Sequence, residues 1–147
     1  MSALQTLKQL IEHEQQKLGQ QLSQWLIKQQ QQQATLQHLT DYRQHYETEY
    51  AAKYEVLGAP VNVIKDHRLF LQRLNEGIEQ QTEVLLAIEK DVQHLRQQLQ
   101  AEYQRETSID QLQIKRQQQL QQQQNKQEQK QMDELANVKP QLTIGKT

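Results

Sequence analysis

The apolar residues in the second half of this chain recur in one heptad register. Stepping by three and four from Ile64 meets His67, Leu71, Leu74, Ile78, Gln81, Leu85, Ile88, Val92, Leu95, Leu99, Glu102, Glu106 and Ile109. A stripe with a 3.5-residue period is buried only where another helix lies along it. Residues 4–57 carry a weaker stripe: Leu4, Leu7, Ile11, Leu18, Trp25, Leu39 and Tyr46, with Leu22 and Leu36 one position off. Glu14, Gln21, Gln32 and Thr35 intrude on it, so this helix depends more on its partner. Gly58-Ala59-Pro60 separates the two stripes. The pattern predicts an all-α fold, a long antiparallel two-helix coiled-coil hairpin with a C-terminal helical overhang.

Local signals set the expected bounds within a single domain of residues 1–147. Ser2 is a candidate N-cap. Gly58 is placed to end helix one, at about 3–57, and a turn at 58–61 follows. Pro60 suits the first turn of helix two, at about 62–137, with Asn62 as a competing N-cap. Pro140 ends that helix and leaves a disordered tail over 138–147. Folding about residue 59 sets opposite each other positions whose numbers sum to about 118, so Leu4 faces the region of Ile114. Everything beyond about 115 then lacks a partner. At roughly 1.5 Å per residue the paired part spans about 80 Å, with an overhang near 30 Å. Leu85, Ile88, Val92 and Leu95 form the longest run without a polar interruption and should be the best buried.

Composition narrows the class. Apolar residues make up 35% of the chain and aromatics 5%, too few to enclose a thick core but enough for a seam. Glutamine, a good helix former, takes up the difference, and its runs at 29–33 and 117–124 read as helix surface. There is no cysteine, which excludes disulfides and thiolate metal sites and fits a reducing cytosol. The first residues show no apolar signal-peptide core, and no stretch reaches the length of a membrane span. A net charge of −1 disfavours nucleic acid or a membrane held by bulk charge. The expected state is a monomer.

Little in the chain points to catalysis. Gly145-Lys146-Thr147 copies the end of a phosphate-binding loop but lacks the upstream glycine, the strand before it and the helix after it. His38, Asp41 and His45 share a helix side, yet an exposed coiled coil offers them no supporting shell, so no metal is expected. Catalytic residues, metal and cofactors are all expected to be none. The aromatics are more informative. Tyr42, Tyr46, Tyr50 and Tyr54 step by four, so the row winds round the helix and some rings must leave the seam. Phe70 flanks the seam beside Leu71, and the register brings Phe70 and Leu74 near Tyr42 and Tyr46. That half-exposed cluster is a candidate docking patch, since aromatics are common interface anchors; the alternative is a cover for a thin core.

At these residues the chain resembles a known family. Leu36, Leu39, Asp41, Tyr42 and Tyr46 match the L-x-x-L-x-D-Y-x-x-x-Y signature of FliJ, the soluble component of flagellar type III export. Phe70, Leu74 and Ile78 match its F-x-x-x-L-x-x-x-I stretch, and Lys130, Met132, Asp133, Glu134 and Ala136 its terminal K-x-M-D-E-x-A motif. The resemblance covers about residues 4–137. It implies a non-enzymatic antiparallel coiled coil, similar to the shaft of rotary ATPases, at the cytoplasmic face of the inner membrane. Its implied partners are the export ATPase FliI, the cytoplasmic domain of the export gate protein FlhA, and export chaperones. The implied gate-binding residues are Thr35, Leu39, Tyr42, Tyr46, Phe70, Leu74, Gly77 and Gln81. Thr35, Gly77 and Gln81 depart from the family's glutamine, alanine and histidine. The implied ATPase-ring contacts are Leu120, Met132, Asp133 and Glu134, in an overhang where glutamine replaces many charges. Rival readings are an injectisome stalk, a general scaffolding coiled coil and a nucleic-acid-binding arm.

Overall fold

The computed structural model describes the backbone of residues 2–144 and the side chains as far as 138. It is all-α, with α1 at Ala3–Tyr54 and α2 at Val61–Ile144, and it forms a helical hairpin with no strand among the described residues.

Local chemistry explains each boundary. Ser2 Oγ accepts from the Gln5 backbone N–H at 3.2 Å while Gln5 Oε1 accepts from the Ser2 backbone N–H at 3.3 Å, a reciprocal capping box that satisfies two free donors at the start of the helix. At the other end the Gly58 amide reaches back to the Tyr54 carbonyl at 2.9 Å with φ at +73°. That single bond from a left-handed residue to the carbonyl four positions earlier is an αL cap, and it carries the helical turn up to Leu57. The Pro60 carbonyl accepts from Ile64 at 3.1 Å, so Pro60 caps α2 from outside, and Asn62 lies within the helix rather than capping it. At the far end α2 continues through Pro140 to Ile144, past the stop expected near residue 138. Proline removes one ladder hydrogen bond and disfavours helix at the residue before it, a cost and not a bar. Gly145–Thr147 lie outside the described residues.

The α2 stripe is legible position by position. Each heptad residue from Ile64 to Ile109, and Gln113 after it, is buried or half-buried. On α1 the seam differs from the expected one. Leu4, Ile11, Leu18, Trp25, Gln32, Leu39 and Tyr46 do face inward, but the alternate row is Lys8, Gln15, Leu22, Gln29, Leu36, Arg43 and Tyr50. Leu22 and Leu36 therefore belong to the seam. Leu7, Gln21 and Thr35 are exposed, and Glu14 is half-buried beside it. The inward row carries two leucines, a tyrosine and long side chains whose aliphatic stems can lie along the seam while their heads leave it. The rejected row offers only Leu7 and Tyr42 as apolar residues.

Contacts divide the chain into two compact units. In Met1–His13 with Glu102–Thr147, the core is Leu4, Ile11 and Ile109. There Lys8 Nζ donates to Asp110 Oδ1 at 2.8 Å, and this bond, with the charge of the same carboxylate, holds the lysine's pKa above its ordinary value. Every side chain from Ile114 to Val138 in that unit is exposed. In Glu14–Ala101, the buried residues are Leu18, Ile88, Val92 and Leu95; Val92 is the best buried of all at 2% exposed, while Leu85 is only half-buried.

Candidate functional site

Within Glu14–Ala101 the last turns of α1 and the first turns of α2 are bound to each other by rings. Because the inward row of α1 runs through Leu39, Arg43, Tyr46 and Tyr50, Tyr42 falls outside it and is 54% exposed. Phe70 lies one position before the seam residue Leu71 and is half-buried. The Tyr46 and Phe70 rings sit 4.4 Å apart with a 54° tilt. The Tyr42 ring meets Phe70 edge-on at 6.1 Å. One phenylalanine thus touches two tyrosines from the opposite helix, and one of those remains open to solvent. Polar ends can also be reached from outside on Tyr42, which suits an interface anchor.

Arg43 Nη1 donates across the seam to Asn75 Oδ1 at 2.9 Å. Gln81 Nε2 donates to both the Gln32 side-chain oxygen, at 2.6 Å, and the Gln32 backbone carbonyl, at 3.0 Å. Arg43, Gln32 and Gln81 sit at seam positions, where a polar residue with a partner specifies alignment at some cost in stability, while Asn75 is exposed beside the seam.

The eight residues marked in the sequence repeat one spacing on both helices, x, x+4, x+7 and x+11, from Thr35 on α1 and from Phe70 on α2. They do not all do the same thing. Tyr42, Tyr46 and Phe70 form the ring cluster. Leu39 and Leu74 are half-buried seam residues. Thr35 is exposed, with its hydroxyl donating to the Gln31 carbonyl of its own helix at 3.2 Å. Gly77 has no atom within 4 Å of where a Cβ would stand. Gln81 is committed to Gln32, so its amide acts inward.

A neighbouring group was not singled out in the sequence. His67 occupies a heptad position, and its imidazole stacks on Tyr50 at 3.5 Å and on Tyr46 at 5.3 Å. Tyr50 in turn contacts Tyr54 at 5.0 Å. His67 Nδ1 is buried with no hydrogen-bond partner among the described residues. Leaving such an atom unpaired costs about 1–3 kcal/mol. The available signal was a histidine in an apolar register, with tyrosines opposite it.

Leu120, Met132, Asp133 and Glu134 are all exposed on the C-terminal stretch of α2, in the other unit. Asp41 accepts from Gln37 at 2.8 Å, and His45 lies 3.1 Å from Glu49. No group of three metal-ligating side chains is arranged to hold an ion among the described residues. Gly145-Lys146-Thr147 lies outside them. No helix of the described residues is long and apolar enough to cross a membrane.

Comparison with known proteins agrees with the motifs. No curated protein and no solved structure matches the chain. The model of the family described as "Flagellar FliJ protein" matches residues 1–141, nearly the whole chain. The two-helix hairpin and this match together place the chain in the FliJ family, among the coiled-coil proteins of flagellar export.

Proposed function

We propose that this protein is a non-enzymatic coupling component of the flagellar export apparatus, acting by binding. In this reading the ring cluster of α1 and α2 docks on the cytoplasmic domain of the export gate, FlhA. The exposed C-terminal stretch of α2, with Leu120, Met132, Asp133 and Glu134, engages the export ATPase ring, FliI. Export chaperones are further partners, and the site of action is the cytoplasmic face of the inner membrane.

The observation that carries the reading is the convergence of Tyr42, Tyr46 and Phe70 from two helices, with Tyr42 left more than half open. A cluster used only to cover the seam gains nothing from an exposed ring, whereas a docking surface needs an anchor that buries further on binding. The exposed stretch of α2 from Ile114 to Val138 supports the second contact: its sparse apolar residues have no cover among the described residues.

Co-purification tests this. Tagged full-length protein should retain both the gate domain and the ATPase from a flagellated host, and removing residues beyond 114 should release the ATPase alone. Release of the gate by that truncation, or retention of neither partner by the full chain, contradicts the reading.

A further inference from the structure

His67 stands where the heptad asks for an apolar side chain, and its Nδ1 is buried with no partner among the described residues. A leucine there would fill the seam without that defect. What the imidazole supplies instead is a flat ring, stacked within 12° of parallel on Tyr50 and within 20° on Tyr46. Tyr46 is also the ring that packs against Phe70 at 4.4 Å, and Phe70 meets the exposed Tyr42. Contact therefore runs unbroken from an inward position of α2, through α1, back to α2 and out to the surface. Stacking fixes the plane of a ring as well as its distance, which an aliphatic neighbour does not.

We propose that His67 is the positioning residue of the docking cluster: its ring sets the plane of Tyr46, and through Tyr46 the placement of Phe70. The proposal rests on the docking reading above. It accounts for a polar atom left unpaired in the seam, because an aromatic ring is kept at the expense of stability. Interface anchors must be held within roughly 0.5 Å of their working geometry, so loss of the supporting ring weakens binding without unfolding the hairpin.

The test uses the full chain with His67→Leu and His67→Phe, measured against the purified gate domain. Phe70 is the sole phenylalanine, so its ring resonances report directly on its surroundings in the Leu variant. His67→Leu should melt at or above the parent temperature, move the Phe70 resonances and weaken gate binding on the order of tenfold. His67→Phe, which keeps a ring and removes the unpaired nitrogen, should bind within about threefold of the parent. The proposal is overturned if the Leu variant melts well below the parent, keeps the parent Phe70 resonances or keeps the parent affinity. It is equally overturned if the Phe variant binds as weakly as the Leu variant. A Phe70→Ala, Leu74→Ala control with parent affinity would instead defeat the docking reading, and the Phe70 resonances of the Leu variant would still judge His67.

Discussion

Tyr46 of α1 and Phe70 of α2 hold their ring centroids 4.4 Å apart, and Tyr46 also stacks on His67. Tyr42, by contrast, touches Phe70 only at its edge and stays mostly exposed. Truncating the two tyrosines should therefore separate stability from docking. Tyr46→Ala should cost about 2 kcal/mol from lost burial and ring contacts. Tyr42→Ala should stay within about 0.5–1 kcal/mol of the parent, as expected of an exposed side chain. Urea unfolding of both variants checks this; equal losses would mean that Tyr42 is core cover after all.

Val92 is the most sequestered residue of the seam, at 2% exposed. Val92→Asp puts a charge at this buried apolar position. The expected loss is roughly 3–5 kcal/mol, or disappearance of cooperative unfolding. A parent-like melting curve would show that α1 does not cover this position in solution.

Two glycines should respond in opposite directions. Gly58 holds φ at +73° with open space round its Cβ position, so Gly58→Ala meets no clash but strains the backbone by about 1 kcal/mol. Gly77 is helical with equally open space, so Gly77→Ala should stabilise α2 by about 0.5–1 kcal/mol. Thermal melts of the pair distinguish a backbone effect from a packing effect, since neither alanine has anything to touch.

Lys8 and Asp110 tie α1 to α2 in the terminal unit at 2.8 Å. The bond raises the lysine pKa from its ordinary 10.5. A raised folded-state value means that the pair's contribution is complete below the unfolded pKa and is lost only as pH climbs through the folded one. Stability traceable to Lys8 should thus be constant from pH 7 to 9 and fall above about pH 10.5. A Lys8→Met comparison across that range checks the sign: over pH 7 to 11 at fixed low salt the difference between the two proteins should shrink only at the alkaline end, and at pH 7 it should shrink as salt is added.

Much of this arrangement is legible in the sequence because a coiled coil writes its contacts as a period. Every position of the α2 register from Ile64 to Ile109, polar residues included, is buried or half-buried, and Phe70 and Gly77 are half-buried beside it. The α1 register was harder to read. One of its rows repeats every seven residues from Leu4, but its companion can lie three or four positions on, and Leu7 pointed to the wrong choice. Leu22, Leu36 and Tyr50 decide it, together with long polar side chains that do not look apolar in a pattern. The Pro140 signal likewise marks a cost that α2 absorbs. At the candidate site, spacing brought Tyr42, Tyr46 and Phe70 together. It could not show that Gln81 turns inward to Gln32, or that His67 leaves a nitrogen unpaired. Those depend on side-chain geometry across the seam, which period alone does not encode.

If the ring cluster is the docking surface for the export gate, Phe70 and Leu74 are its anchors on α2. Calorimetric titration of full-length Phe70→Ala, Leu74→Ala protein with the gate domain tests it most directly, with circular dichroism of the same sample. The variant should keep parent helicity and lose gate affinity on the order of a hundredfold or more, as expected when two anchors are removed. Parent affinity in a variant that keeps its helices would contradict it.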